Sequence, residues 1–209
     1  MTETIKLKCV LLGETAVGKS SLINRFVNGT FKQEFLPTIV GCYSTKEVFY
    51  KKENINIIYE IWDTAGQEKF RAVNRIFYQD AYIILLVFDI TNKPSFDALK
   101  DYWYQEVKDN APQDAIIIIV GNKTDLYEVK EVDEDDVKKF CESVHSLYVL
   151  ASAQNGEGIE KLFDMIGKQV LTRKKFGEIK NNIKFKNKDM KYSSVSTLDS
   201  NNSKRIKCC

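Results

Sequence analysis

The chain has 209 residues, of which 44% are hydrophobic, so it can build one domain with a sizeable core and is neither a disordered nor a fibrous protein. Its longest apolar runs, 82–88 and 115–120, fall short of the roughly 18–20 residues of a membrane span, and the N-terminus lacks a signal-peptide pattern, which predicts a protein made and kept in the cytosol. The formal net charge of +2 hides an uneven distribution, because residues 172–209 carry eleven Lys or Arg and three acids.

Apolar periodicity predicts strands and helices in alternation. In chain order these are strand 5–12, helix 19–27, a hairpin of strands 43–50 and 54–62, strand 82–89, helix 95–108, strand 115–121, helix 133–143, strand 147–150 and helix 158–171. Continuous Ile and Val runs are typical of central strands covered on both faces, which indicates a doubly wound α/β sheet. The domain is predicted over 1–174, and the polar, basic composition of 175–209 predicts a flexible tail.

A phosphate-binding loop is predicted between the first strand and the first helix. Residues 13–20 read Gly-Glu-Thr-Ala-Val-Gly-Lys-Ser, which satisfies G-x-x-x-x-G-K-[ST] in the strand-to-helix context that this motif needs. Gly13 and Gly18 let the backbone curl until successive N–H groups point at phosphates. Lys19 then supplies charge to the β- and γ-phosphates, and Ser20 ligates Mg²⁺. The loop alone leaves open whether the protein is a kinase, an ATPase or a switch.

A second motif selects the base. Strand 115–121 runs into Asn122-Lys123-Thr124-Asp125, and ligands of open α/β sheets lie at such carboxyl ends of strands. An ionised Asp125 accepts hydrogen bonds from the N1–H and the amine of guanine, whereas adenine faces it with an acceptor. Because unpaired groups of this kind cost about 1–3 kcal/mol each, the motif favours guanine.

These motifs, together with Asp63-Thr64-Ala65-Gly66-Gln67 and Ser152-Ala153-Gln154, resemble the Ras superfamily of small GTPases over about residues 5–171. Segments 62–70, 77–81 and 86–91 and the Cys-Cys terminus resemble the Rab family of membrane-traffic regulators, and the phosphate loop is similar to that of its early-endosomal branch. The resemblance implies a P-loop NTPase-type fold with a mostly parallel six-stranded sheet, one antiparallel edge strand and helices on both faces. It also implies a vesicle-traffic switch that binds GTP or GDP with Mg²⁺.

The resemblance further implies roles for individual residues. Gln67 would be catalytic by orienting the attacking water, and turnover is expected to be slow, about 10⁻⁴–10⁻² s⁻¹, because no arginine is evidently placed in cis. Gly66 would contact the γ-phosphate. The implied metal ligands are Ser20, Thr38 and, through water, Asp63. The implied nucleotide-binding residues are Gly13, Thr15, Ala16, Val17, Gly18, Lys19, Ser20, Ser21, Phe31, Thr38, Gly66, Asn122, Lys123, Asp125, Ser152, Ala153 and Gln154.

Two of these positions carry alternatives. Phe31 stands where the family stacks an aromatic ring on guanine, but a core role explains it as well. Gln154 replaces the usual Lys of Ser-Ala-Lys, so we expect weaker binding with retained specificity, since Ala153 N–H still reaches guanine O6.

Tyr43, Trp62 and Phe77 match the aromatic surface triad by which Rab proteins engage effectors, although plain core packing explains them equally well. Residues 39–43 read Ile-Val-Gly-Cys-Tyr where Rab proteins usually carry Ile-Gly-Val-Asp/Glu-Phe. This departure leaves the effector set open.

The five cysteines predict reduced thiols, with 9, 42 and 141 as buried apolar residues. Cys208 and Cys209 do not form a C-a-a-X signal. The resemblance implies that both are geranylgeranylated through an escort protein, and two lipid chains give stable attachment where one is marginal. Nearby basic residues add roughly 1 kcal/mol each at an anionic leaflet. Two spare exposed cysteines are the alternative.

The expected partners are an exchange factor, a GTPase-activating protein, the escort protein or GDP-dissociation inhibitor, effectors, and the cytosolic face of intracellular, endosomal membranes. A monomeric core is expected. Nucleic acid is not, because the aromatic residues of the tail are too sparse for stacking. Two rival classes stay open: a GTP-binding scaffold without turnover, and a small-molecule ATP kinase, against which the Asn122–Asp125 motif argues.

Overall fold

The computed structural model describes residues 2–32, 38, 41–66 and 71–175. The predicted catalytic residue Gln67, and the predicted tail beyond 175 with Cys208 and Cys209, lie outside these ranges. Within them, no helix is both long enough and apolar enough to cross a lipid bilayer.

Six strands of the described chain form one sheet. They are β1 (Glu3–Leu12), β2 (Cys42–Tyr50), β3 (Ile55–Asp63), β4 (Ile83–Asp89), β5 (Ile116–Asn122) and β6 (Leu147–Leu150). Their order is β2-β3-β1-β4-β5-β6. β2 pairs antiparallel with β3 at one edge, and the other neighbours are parallel. The predicted mostly parallel sheet with one antiparallel edge strand is therefore confirmed.

Helices cover both faces of this sheet. They are α1 (Lys19–Asn28), α2 (Arg71–Tyr78), α3 (Lys93–Ala98), α4 (Tyr104–Asn110), α5 (Glu134–Ser143) and α6 (Ile159–Lys175). A π-helical turn, Leu99–Trp103, joins α3 to α4, and a 3₁₀ helix, Thr124–Val129, follows β5. Asp133 begins α5 by accepting a hydrogen bond from the Asp135 N–H at 2.8 Å, and the acids that follow suit the positive end of the helix.

The alternation of side chains along the strands divides the core in two. Odd-numbered residues of β4 pack with α1 and α6, whereas its even-numbered residues pack with the π-helical turn, α4 and α5. Every residue of β4 is buried, which explains why its sequence is a continuous apolar run. The carboxyl ends of β1, β3, β4 and β5 then lie along one edge, where the loops that follow them meet.

Some elements differ from the sequence-based expectation. The pattern did not predict α2, which has eight residues, or the 3₁₀ helix, which has six. Both are shorter than the window of roughly 11–18 residues over which helical periodicity can be recognised. The predicted helix 95–108 begins earlier, at Lys93, and contains the π-helical turn. Cys9 and Cys141 are buried as predicted, but Cys42 is only half-buried, so that prediction is wrong. It lies on the edge strand, which has a neighbour on one side only.

Candidate functional site

A cleft of 440 Å³ lies at the carboxyl ends of the parallel strands. Fourteen of the seventeen predicted nucleotide-binding residues line it, which leaves out Gly13, Val17 and Ser152. Lys32, Thr64 and Leu126 also line it and were not predicted. These three are neighbours of predicted site residues in the sequence, but their residue types do not by themselves predict contact with a phosphate or a base.

The phosphate end of the cleft is formed by the loop between β1 and α1. Gly18 adopts φ 94°, in the left-handed region, and no described side chain caps α1. The first N–H groups of the helix are therefore left for a ligand, at the end where the helix dipole favours an anion. Gly13 permits close packing behind the loop, because a Cβ there would lie 2.2 Å from the Val87 carbonyl oxygen.

Lys19 projects along the inside of this loop. It is 6% exposed, and its Nζ donates to the carbonyl oxygens of Gly13 at 2.9 Å and Glu14 at 2.7 Å. Burial lowers the pKa of Lys19 to about 8, and the nearby charges of Asp63 and Glu14 oppose that shift. The ammonium is thus held at the point where the motif places the β- and γ-phosphates.

Three oxygen-bearing side chains meet beside Lys19. The Ser20 hydroxyl lies 3.0 Å from the Thr38 hydroxyl and donates to Asp63 Oδ2 at 2.5 Å, and Thr38 lies 3.3 Å from the same oxygen. Asp63 Oδ1 is buried and finds no hydrogen-bond donor among the described residues. Burial raises the pKa of Asp63, while the Ser20 bond and the Lys19 charge lower it. Hard oxygen donors with an unsatisfied carboxylate oxygen fit Mg²⁺.

The segment after β3 closes this end of the cleft. The Thr64 hydroxyl donates to the Leu11 carbonyl oxygen at 2.6 Å and anchors the segment to β1. A Cβ at Gly66 would lie 2.6 Å from both the Glu14 carbonyl oxygen and Lys19 Nζ. Only glycine therefore allows this backbone to approach the phosphate loop so closely.

The opposite end is organised by Asn122, which is 1% exposed. Its amide donates to the Val17 carbonyl oxygen at 2.8 Å and accepts from the Ala153 N–H at 3.2 Å. Asn122 therefore ties the phosphate loop to the loop after β6. Its role is to join the two binding loops, which explains why Val17 belongs to the site without lining the cleft.

Asp125 lines the cleft and is held by Ser152. The Ser152 hydroxyl donates to Asp125 Oδ1 and also accepts from the N–H groups of Gln154 at 3.1 Å and Asn155 at 3.2 Å. Ser152 thus orients the carboxylate from behind and shapes its own turn. The backbone of Gln154 forms part of the same turn, so the replacement of the usual Lys by Gln at this position leaves the turn's hydrogen bonds in place.

Lys123 is positioned by an acid that sequence reasoning missed. Its Nζ pairs with Asp89 Oδ2 at 2.6 Å, and Asp89 Oδ1 accepts from the Thr91 N–H at 2.9 Å. Lys123 itself adopts φ 72°, in the left-handed region. Lys123 therefore lines the cleft with its ammonium held by Asp89.

A second missed residue is Arg25 of α1. Its guanidinium donates to the carbonyl oxygens of Ala153, at 2.8 Å from Nε, of Gln154, and of Gly29, at 2.9 Å from Nη1. These bonds brace the loop after β6 against the helix that begins at the phosphate loop. No local pattern signals the contact, because Arg25 and Ala153 are 128 positions apart.

The three predicted effector aromatics form a continuous strip on β2, β3 and α2. Ring centroids are 5.1 Å apart for Tyr43 and Trp62 and 5.6 Å apart for Trp62 and Phe77. Tyr43 is 40% exposed, and the other two are half-buried against the core. A Cβ at Gly41 would lie 2.7 Å from Phe77 Cζ, so the unusual glycine of residues 39–43 lets the Phe77 ring lie against this strand end.

Comparison with known proteins agrees with this geometry. The Ras family model matches residues 8–172. The chain is 41% identical over 165 residues to Ras-related protein Rab-22A of Homo sapiens, which covers 79% of this chain and 84% of that protein. It is 41% identical to Ras-related protein Rab-31 of Rattus norvegicus, with 79% and 83% covered, and 40% identical over 173 residues to GTP-binding protein YPT53 of Saccharomyces cerevisiae, with 80% and 77% covered.

A family model that spans the domain and relatives at this identity define the class: the chain belongs to the Ras family of small GTPases. Within that family its similarity is to Rab proteins, and the sequence-based recognition of a Rab-family member is confirmed.

Proposed function

We propose that this Rab-family GTPase is a switch that binds GTP and GDP with Mg²⁺, hydrolyses GTP slowly, and recruits effectors in the GTP state. The observation that carries the proposal is the cleft itself, which has the Lys19 ammonium at one end and the Asp125 carboxylate at the other. A positive group suits phosphates, and a pure acceptor suits the two N–H donors of guanine.

The base end supports guanine in particular. Asp125 lines the cleft and its Oδ1 is held by Ser152, so its carboxylate can act as an acceptor there. Ala153 also lines the cleft, and its N–H, which donates to Asn122 Oδ1 at 3.2 Å, can be shared with guanine O6 in a three-centre hydrogen bond. Together they present an acceptor for the N1–H and amine of guanine and a donor for its O6, which is the reverse of what adenine requires.

The phosphate end supports hydrolysis. Ser20, Thr38 and, through water, Asp63 would hold Mg²⁺, which would supply positive charge to neutralise the phosphates during hydrolysis. Lys19 would hold the same phosphates, and the Gly66 N–H would donate to the γ-phosphate. Gln67 would orient the attacking water. Among the described residues no arginine lines this cleft, so fast turnover would need an activating protein.

The switch follows from which residues contact the γ-phosphate and the metal. Thr38 and Gly66 lie in two separate segments, and both approach the cleft from the side of β2 and β3. Contacts to the γ-phosphate hold the two segments together, and hydrolysis removes those contacts. The aromatic strip of Tyr43, Trp62 and Phe77 lies next to both segments, so an effector bound there would distinguish the two states.

Membrane attachment is proposed from the sequence. Cys208 and Cys209 would carry two isoprenoid chains, and the basic residues before them would favour an anionic leaflet. Similarity to Rab-22A and Rab-31 and the form of the phosphate loop support endosomal membranes. A mass spectrum of protein isolated from cells that shows no added isoprenoid would contradict the anchor.

Nucleotide choice is tested by equilibrium competition. Purified full-length chain with Mg²⁺ is loaded with a fluorescent GDP, which is then displaced by GTP, GDP or ATP. We expect GTP and GDP to displace the probe at concentrations at least 100-fold lower than ATP, since two or more base contacts distinguish them. Equal displacement by ATP and GTP would overturn the proposal.

Hydrolysis is tested by single-turnover assays with and without cell extract. We expect slow release of phosphate from GTP alone and faster release with extract. Gln67→Leu is expected to bind GTP with unchanged affinity and to lose the stimulated rate. The scaffold alternative predicts no turnover under either condition, and unchanged turnover in the variant would remove Gln67 from the mechanism.

A further inference from the structure

The phosphate loop contains an acidic residue, Glu14, immediately after Gly13. Its backbone belongs to the binding surface, since its carbonyl oxygen accepts from Lys19 Nζ at 2.7 Å and lies 2.6 Å from where a Cβ on Gly66 would stand. A carboxylate on this residue carries the same sign as the phosphates that the loop is proposed to hold. Unless it is directed elsewhere, it opposes their binding.

The side chain of Glu14 is engaged outside the lining of the cleft, although its charge still acts on Lys19. Glu14 does not line the cleft, whereas the next two residues, Thr15 and Ala16, do. Its Oε1 accepts a hydrogen bond from the indole Nε1 of Trp103 at 2.9 Å. Trp103 is 1% exposed and packs in the core on the α4 side of the sheet. The donor that faces the carboxylate is therefore held rigidly by the fold.

The π-helical turn sets the direction of Trp103. The Tyr104 N–H donates to the Leu99 carbonyl oxygen, five residues earlier, so this turn holds one residue more than an α-helical turn. One residue corresponds to about 100° of rotation around a helix. The turn thus decides which face of the helix presents the indole, and it presents the indole N–H to the phosphate loop, 89 positions away.

We propose that Trp103 is a positioning residue for the phosphate loop: its indole N–H holds the Glu14 carboxylate away from the bound phosphates, so that an acid in the loop does not repel them. The inference rests on the proposed nucleotide binding. Its distinctive consequence is that Trp103 matters to nucleotide affinity only while residue 14 is charged.

A double-mutant cycle tests this dependence. Trp103→Phe removes the N–H, and we expect GTP affinity to fall about tenfold, because the released carboxylate would add a partly screened charge repulsion at the phosphate end of the cleft. Glu14→Gln keeps a hydrogen-bond acceptor and removes the charge, and we expect it to bind at least as tightly as the original chain. The double variant is expected to bind within about threefold of Glu14→Gln alone.

The ligand provides a second readout. Because repulsion grows with ligand charge, the loss in Trp103→Phe is expected to be larger for GTP than for GDP and to shrink in high salt. Tyr102→Leu serves as the matched control: it removes the ring that packs against Trp103 at 5.1 Å but leaves the indole N–H in place. We expect its affinity to stay within about threefold of the original chain.

An isosteric analogue separates hydrogen bonding from packing. A benzothiophene analogue of tryptophan at position 103 keeps the ring shape without the N–H, so it tests the proposal even where Trp103→Phe fails to fold. We expect the same loss and the same rescue by Glu14→Gln. A double variant as weak as the single Trp103 variant would overturn the inference, while an original chain that binds no guanine nucleotide would overturn the proposed function instead.

Discussion

Gly18→Ala should destabilise the protein by two separable effects. Gly18 adopts φ 94°, and a side chain in the left-handed region costs roughly 1–2 kcal/mol. A Cβ there would also lie 2.2 Å from Asn122 Nδ2, so the amide must move and lose its 2.8 Å bond to the buried Val17 carbonyl oxygen. A buried acceptor left unpaired costs about 1–3 kcal/mol. The free energy of unfolding should therefore fall by roughly 2–5 kcal/mol.

Gly29 supplies the matched control at the other end of the same helix. It adopts φ 69°, and a Cβ there meets no atom of the described residues within 4 Å. Gly29→Ala therefore carries the backbone cost alone. Thermal unfolding of both variants, stripped of nucleotide, should show a Tm lower for Gly18→Ala than for Gly29→Ala by about 2–12 °C, at the roughly 2–4 °C per kcal/mol of a domain this size. Equal Tm values would refute the tethering role assigned to Asn122.

Three further predictions concern the ligand. Asp125→Asn should weaken GTP binding by about 10²-fold or more in competition assays, because hydrogen bonds to a charged group contribute roughly 1.5–3 kcal/mol each. It should favour xanthosine triphosphate, whose C2 oxygen accepts from the new amide, and a variant that still prefers GTP would contradict the assignment. Arg25→Gln should release fluorescent GDP about tenfold faster in a chase experiment, because the guanidinium bonds to the loop after β6 are lost. Ser20→Asn should weaken Mg²⁺-dependent binding of GTP more than of GDP, and equal affinity for both nucleotides would exclude Ser20 as a metal ligand.

The sequence predicted the sheet and the cleft well because both depend on local signals. Continuous apolar runs marked the buried strands, and the Gly-rich segment of 13–20 marked the turn between β1 and α1. Each binding loop directly follows a predicted strand, so strand order alone brought the loops to one edge of the sheet. For most of the strands, the observed boundaries differ from the predicted ones by one or two residues. Hydrogen bonding between strands, rather than hydrophobicity, decides where pairing ends.

The side chains that brace the cleft could not be predicted in the same way. Three such side chains are Arg25, Asp89 and Trp103. Each bonds to a residue of a loop that is distant in sequence or that follows another strand. Their contacts depend on how helices pack across the sheet, and nothing within a window of neighbouring residues records that packing. The π-helical turn is an example of a feature that the sequence pattern does not predict. The amphipathic pattern there predicts one continuous helix, and only the observed hydrogen bond from the Tyr104 N–H to the Leu99 carbonyl oxygen reveals the additional residue.

The two ends of the cleft are connected by hydrogen bonds between their loops, and α1 takes part in that connection. The helix begins at the phosphate loop, its Arg25 holds the loop after β6, and Asn122 links that loop back to Val17. Under the proposed function, phosphates that order the start of α1 would therefore also restrain the loop proposed to contact the base. Binding at one end lowers the entropic cost of binding at the other, so the two halves of a guanine nucleotide should bind more tightly when linked in one molecule than their separate affinities imply. Loss of Arg25 or Asn122 should reduce that gain, because either tether transmits it.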